Sequence, residues 1–283
     1  MSALFPRVAW QGVVSQYDPM VDTDSALTSY QADGFLAPVT VLDSAGAAEH
    51  RRILEAAEVE LGPLHYINKI HTVMKSPFEL ATSPLVLDLV EAMIGPDVLL
   101  YNSNYIIKEP ESSAHISWHQ DLTYWGLEDD DAQVSMWLAL SPATAESGCM
   151  VMVPGTHREG RAHHVEVPDG DNVLLLGQTI EGVDESAGVH CELQPGEASF
   201  HHGWTVHRSA PNVSADRRIG LNVQYVAPHN MQHSSATSAT LVRGEDRFGH
   251  YATEPKPQSW LDKEGAETLY AADRAMKESF KTK

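Results

Sequence analysis

The chain has two cysteines in 283 residues, 7% aromatic side chains, and 19 basic residues against 39 acidic ones. Each shortage excludes something. Cys149 and Cys191 are far apart in sequence and build neither a disulfide framework nor a thiolate zinc site; they read as reduced, buried thiols. A formal charge of −20 argues against nucleic acid or an anionic membrane as partner, because both need positive charge to replace their counterions. No apolar run reaches the roughly eighteen residues of a membrane-spanning helix. The opening "MSALFPRVAWQGVV" lacks a basic start, a sustained apolar stretch and a small-residue cleavage site. No secretory signal is therefore expected, and a cytoplasmic location is.

The hydrophobic fraction is 42%, ordinary for a globular chain that buries a sizeable core. Helical grammar comes first. "DTDSALTSYQADG" and "DSAGAAEHRRILEAAEVELG" each pair an acidic or Ser cap with helically spaced apolar residues and a closing glycine, Gly34 and Gly62. "SPLVLDLVEAMIG" offers Ser83 as cap, Pro84 at the first helical position and Gly95 as stop. From about residue 97 the segments shorten. "DVLLYNSNYIIKE", "AQVSMWLALS", "CMVMVPG", "GVHCELQPGEASFHHG" and "RIGLNVQYVAP" are rich in β-branched, Leu and aromatic residues, with turn residues between them. Many short antiparallel strands in a jelly roll or related barrel are the expectation. One domain is expected over 1–283: a helical part over about 20–95, a β core over about 97–228, and a charged helical tail over about 260–280.

Within the β region, "SWHQDLTYW" places His119 and Asp121 two apart. On an extended segment these side chains share a side, so an imidazole and a carboxylate face a common point. A catalytic metal needs a third ligand, and His207 in "GWTVHRSAPNVSADRRIG" is the best candidate. Two histidines and one carboxylate on one face of a metal leave positions open, the arrangement that suits non-haem Fe(II). Taken alone, a His-x-Asp followed much later by a His has little specificity.

"WHQD" with "YWGL" behind it, "PGTHREG", and "HRSAPNVSADRR" together resemble the phytanoyl-CoA dioxygenase family of Fe(II)/2-oxoglutarate-dependent oxygenases, strongly over about 97–228 and weakly at "YQADGFL". The resemblance implies a mainly β fold with flanking helices around a double-stranded β-helix, a jelly-roll, cupin-like core. It implies Fe(II) on His119, Asp121 and His207, with 2-oxoglutarate and O2 as cosubstrates. Arg218, eleven residues past His207, matches the family's arginine for the far carboxylate of 2-oxoglutarate, and Trp137, eighteen past His119, matches a tryptophan beside it. A guanidinium fork suits that task because it binds a carboxylate through parallel hydrogen bonds and stays charged. Arg217 and Arg218 are neighbours, so only one points inward on a strand, and spacing favours Arg218. For Trp137 the rival is plain core packing.

Other positions are less specific. Ser209 either adds a hydroxyl to the cosubstrate carboxylate or caps a turn. Asn102 and Asn104 share one strand face and suit cosubstrate or substrate binding, or ordinary exposure. Lys69 and His71, in "YINKIHTV", could reach toward the barrel mouth, a region that in the resembling family contributes to cosubstrate or substrate contact. His163, His164, His201 and His202 suggest zinc, but adjacent strand residues point opposite ways and each pair offers one imidazole to a given metal; no second metal site is expected. His157 reads as structural.

In related halogenases a small residue replaces the carboxylate, so retention of Asp121 favours hydroxylation or a related oxidation over halogenation; desaturation and ring closure begin with the same hydrogen abstraction and stay open beside it. The expected enzyme is a 2-oxoglutarate-dependent dioxygenase hydroxylating an unactivated C–H of a small polar metabolite: an amino acid, compatible solute, aminophosphonate or natural-product intermediate. An acyl-CoA hydroxylase of the same family, a non-catalytic jelly-roll binder of a small ligand, and a zinc hydrolase or isomerase on a cupin-like barrel are the rivals.

Overall fold

A computed structural model of the protein describes residues 22–127, 131–167, 169–174, 177–232 and 237–279. The opening stretch read for a secretory signal, and Phe280 at the end of the expected tail, lie outside the described residues.

The helices are α1 (Thr23–Asp33), α2 (Ser44–Leu61), α3 (Lys75–Ala81), α4 (Pro84–Ile94), α5 (Leu122–Trp125) and α6 (Ala266–Ser279). Local chemistry sets most of their ends. The Asp22 and Asp43 carboxylates accept hydrogen bonds from the first-turn N–H groups of Asp24 and Gly46. α1 stops at Gly34, whose φ of 82° is left-handed. That glycine has a second reason: a Cβ there would lie 2.3 Å from the His157 ring, so His157 packs under the α1 terminus. α4 starts at Pro84 after Ser83, whose hydroxyl makes no capping bond. α3 is too short for its periodicity to announce it, and α6 falls within the expected tail.

The strands are β1 (Phe35–Thr40), β2 (Val98–Lys108), β3 (Ile116–His119), β4 (Gln133–Ala139), β5 (Met150–Met152), β6 (His164–Glu166), β7 (Gln178–Ile180), β8 (Val189–Cys191), β9 (Glu197–His201), β10 (His207–Ser209), β11 (Arg218–Val226), β12 (Ser238–Arg243) and β13 (Ala252–Thr253). A seven-stranded sheet runs β1-β9-β4-β11-β2-β12-β13, a four-stranded sheet β3-β10-β5-β8, and β6 pairs with β7. Residues of both larger sheets line one cavity between them. This is the mainly β, jelly-roll architecture expected. The strands extend past 97–228 at both ends, because β1 and β12 join the large sheet. Among the described residues β1, which contains Pro38, pairs with β9 alone at the sheet edge, where a missing N–H is tolerated.

The large sheet has two chemically different faces. Val134, Met136 and Leu138 of β4 and Leu221, Val223 and Tyr225 of β11 belong to a core shared with Leu54 of α2 and with Val86, Leu89 and Val90 of α4. Each such side chain contributes about 1.5–3 kcal/mol by burial. The alternate residues, among them Trp137, Arg218, Asn222 and Gln224, line the cavity. Cys149 and Cys191 are buried and unpaired, and burial pushes their thiols up to about 11 and about 12. Among the described residues no helix is long and apolar enough to cross a membrane.

Lys69 and His71 do not reach the barrel mouth. Both are buried and converge on Glu254, which follows β13. Lys69 Nζ lies 2.9 Å from Glu254 Oε1 and donates to the carbonyls of Tyr101 and Ser238. The His71 ring bonds Ser103 Oγ at 2.8 Å and Glu254 Oε2 at 2.9 Å. A buried ammonium needs a counterion, and this one ties the segment after α2 to the C-terminal strands. Burial pushes the Glu254 carboxyl up, but Lys69 and His71 outweigh it and hold it down at about 2.

Glu254→Gln leaves that ammonium without its countercharge and is expected to cost about 3–5 kcal/mol in urea unfolding at neutral pH. Because the carboxyl is lowered in the folded state, its stabilisation is present above its ordinary value near 4.5 and lost as pH falls toward about 2. The gap between wild type and variant should therefore close across that acid window.

Candidate metal centre

β3 and β10 are antiparallel neighbours in the small sheet, and His119 and His207 are directly opposite one another. Their ring centroids are 4.0 Å apart. His119 Nδ1 lies 2.9 Å from the Ser117 carbonyl, and His207 Nδ1 lies 2.9 Å from the Thr205 carbonyl. A carbonyl only accepts, so both Nδ1 atoms carry the proton and both Nε2 lone pairs are free to ligate. Each Nε2 faces Asp121 Oδ1, at 3.5 Å from His119 and 3.7 Å from His207. One ligand atom from each of the three residues lies within 4.8 Å of the other two, so this group could hold a metal ion.

Asp121 arrives there by a different route from strand alternation. β3 ends at His119, and Asp121 has helical φ −58° and ψ −45° at the start of α5. A strand-to-helix turn swings the carboxylate back toward the imidazoles. Gln120 pins that turn: its buried amide donates to the carbonyls of Gly160 and Trp204 and accepts from the Ala162 N–H.

Electrostatics suits a cation. Burial alone would raise the Asp121 carboxyl, yet the surrounding imidazoles of His119, His201 and His207 hold it well below its ordinary range. His207 is pushed well below its ordinary value by burial and by His119. An ionised carboxylate and an imidazole kept neutral are the protonation states that metal ligation requires.

The cavity beside this group has a volume of about 330 Å³. Arg218 is 1% exposed and lines it. Its Nη1 donates to the Gly148 carbonyl at 2.9 Å, while Nε and Nη2 have no partner among the described residues. Burial lowers the guanidinium to about 10, still charged at neutral pH. Buried cationic donors left over in a cavity mark a place for an anion. The guanidinium lies 5.0 Å from the Trp137 ring centroid. Trp137 lines the cavity and also packs among Ala139, Met150 and Met152. Arg217 points the other way, into ion pairs with Glu58 at 2.8 Å and Glu109 at 2.9 Å.

Ser209 lines the same cavity, and its Oγ accepts from Lys108 Nζ at 2.7 Å. Lys108 also donates to the carbonyls of Ser209 and Ala210, and burial and Arg218 push it down to about 6. With a lone pair committed to Lys108, the Ser209 hydroxyl hydrogen is available to the cavity. Asn102 lines the cavity too, but its amide is spent inside the protein, on Asn68, Gln224 and the Lys69 N–H. Asn104 keeps Oδ1 unpartnered.

Sequence reasoning missed several neighbours. His201 lies with Nε2 3.2 Å from Asp121 Oδ2, and Ser135 Oγ donates to the same oxygen at 2.8 Å. Alternation in "QVSMW" puts Ser135 on the face of Trp137, a signal that was readable; what that face covers was not. His202 points away from the centre, 3.3 Å from Asp131. His164 Nε2 accepts from the Gln120 N–H at 3.2 Å. Tyr66, on the cavity wall, has φ 55°, a strained value for an aromatic residue that no periodicity reveals.

A sequence model of the phytanoyl-CoA dioxygenase (PhyH) family matches residues 23–220. The chain is 28% identical over 157 residues to the human peroxisomal phytanoyl-CoA dioxygenase, covering 54% of this chain and 46% of that one. It is 28% identical over 166 residues to a probable alpha-ketoglutarate-dependent hypophosphite dioxygenase of Stutzerimonas stutzeri, covering 58% and 57%. The chain thus spans about half the length of the curated relatives it matches. Among solved structures, the apo form of the non-heme monooxygenase ThoJ superposes with a TM-score of 0.79 at 28% identity, covering 90% of this chain and 97% of that one.

Gly220 keeps this wall open, since a Cβ there would lie 1.9 Å from the Trp137 ring. Gly220→Ala is expected to force the indole aside at a cost of about 1–3 kcal/mol. Thermal unfolding measures that loss, and the near-UV circular dichroism of the folded variant should change with it.

Proposed function

The chain belongs to the phytanoyl-CoA dioxygenase family, and from that membership we propose that it is an Fe(II)- and 2-oxoglutarate-dependent dioxygenase that hydroxylates an unactivated C–H of a small polar metabolite. The observation carrying this reading is the pairing, in one cavity, of two imidazoles and a carboxylate on converging atoms with a buried arginine that has donors to spare. His119, Asp121 and His207 hold the metal. Arg218 grips the far carboxylate of 2-oxoglutarate, and Ser209 adds a hydroxyl to it. Trp137 forms the wall against which the arginine stacks.

When bound, iron and 2-oxoglutarate supply the activation of O2, in which the keto acid is decarboxylated to succinate and CO2 and one oxygen atom is delivered to the substrate. The chain's own part is binding, orientation and exclusion of water. His119 and His207 present lone pairs already oriented by their carbonyl partners. Tyr124 and Trp125 close the cavity with aromatic surface. Asp121 supplies a carboxylate where a halogenase has a small residue, which supports hydroxylation or a related oxidation over halogenation. A cavity of about 330 Å³ that must also hold 2-oxoglutarate favours a small substrate over an acyl-CoA. The Stutzerimonas stutzeri relative, named for hypophosphite, is a family precedent for a small polar one. Amino acids, compatible solutes, aminophosphonates and natural-product intermediates are the classes to screen.

Succinate release from 2-oxoglutarate across those classes, with and without Fe(II), is the test. His119→Ala, Asp121→Ala and His207→Ala should each abolish it. Arg218→Ala removes charged hydrogen bonds worth about 1.5–3 kcal/mol, so the 2-oxoglutarate requirement should rise about 10- to 100-fold. Full turnover by Asp121→Ala would refute the ligand assignment. Absence of iron-dependent turnover with every substrate class would favour a non-catalytic binder of small ligands.

A further inference from the structure

Asp121 offers two oxygens, and different sheets address them. Oδ1 faces His119 and His207 of the small sheet. Oδ2 faces the large sheet, where Ser135 Oγ donates at 2.8 Å and His201 Nε2 lies at 3.2 Å. Ser135 of β4 and His201 of β9 are direct cross-strand partners, just as His119 and His207 are in the small sheet. Ser135 is 0% exposed and His201 2%. An ionised carboxylate only accepts hydrogen bonds, so the facing His201 Nε2 carries the proton. Nδ1 of that ring is buried with no partner among the described residues, and there Asp121 is the hydrogen-bond partner that orients the imidazole. His201 is not among the residues whose ligand atoms converge.

We propose that Ser135 and His201 are positioning residues that clamp Asp121 Oδ2, so that Asp121 serves a metal through Oδ1 alone. This inference rests on the metal-binding reading of His119, Asp121 and His207. Two donors on Oδ2 engage its lone pairs and hold the carboxylate plane, and such outer contacts orient metal ligands. The consequence is a matter of coordination number. A carboxylate binding through one oxygen, beside two imidazoles, leaves three of six positions open, enough for a chelating keto acid and O2. Binding through both oxygens leaves two, and the keto acid alone fills them. The pair comes from the sheet opposite the imidazoles, so closure of the two sheets also sets the ligand geometry.

The test is anaerobic calorimetric titration of the full chain with Co(II) in the absence of 2-oxoglutarate, a readout independent of turnover. His201→Leu and Ser135→Ala should each weaken Co(II) binding about tenfold or more. His201→Gln, which keeps an N–H donor in reach of Oδ2, should stay within about threefold of wild type on the same scale. Thermal unfolding of the metal-free proteins shows which variants are folded, and Ser135→Ala with His201→Gln carries the comparison if His201→Leu is not. Asp121→Ala tests the centre itself. If wild type binds no Co(II), or Asp121→Ala binds as wild type does, the metal reading falls and the clamp with it. If Asp121→Ala abolishes binding while Ser135→Ala and His201→Leu bind like wild type, the clamp alone is overturned. A His201→Gln loss as large as that of His201→Leu also overturns it, because the donor would then not be what matters.

Discussion

The register between β3 and β10 is the constraint on which the site depends. It sets His119 directly against His207, and a slip of one residue would turn one imidazole to the opposite face of the sheet. Both strands are short, four and three residues, so their own hydrogen bonds cannot enforce that register. Side contacts do: Gln120 ties the end of β3 to Gly160, Ala162 and Trp204, and β10 pairs with β5 on its other edge. A weak pair of strands is made definite by a buried amide and a third strand.

The large sheet performs the complementary task. One face is apolar and packs under α2 and α4, which supplies the burial energy that lets the other face carry polar groups. Basic side chains buried on or beside that sheet are each handled differently. Lys69 is neutralised by Glu254. Lys108 donates to three protein oxygens. Arg218 keeps donors unused. A buried charge without a partner is costly, so its retention at the cavity wall is the clearest physical sign that an anion belongs there. Asp121 stands where the two sheets meet, one oxygen turned to each.

How legible this was varies with the range of the interaction involved. α1, α2 and α4 were readable because caps, Pro84 and closing glycines are local signals. The alternation of "RIGLNVQYV" was readable as a strand, and it explains why Arg218 faces in and Arg217 out. β1 was masked by Pro38, which marks an edge only when the neighbouring strand is known. His119, Asp121 and His207 were placed by motif and family resemblance, but the reason given for the first two, a shared strand face, differs from the turn that brings Asp121 round. The burial of Lys69 and His71 against Glu254 was not readable, because that partner is some 180 residues away in sequence and nothing local points to it.

The sequence by itself determined the classes of element, the polar-apolar alternation of the large sheet, and the residue types able to ligate a metal and hold a carboxylate, since these follow from local propensity and side-chain chemistry. Tertiary structure alone decided that Oδ1 of Asp121 faces two imidazoles while Oδ2 faces Ser135 and His201, that Asn102 is spent on its neighbours, and that Arg218 keeps free donors. Hydrogen bonds act over about 3 Å, and which groups come that close depends on how separate strands are registered and packed.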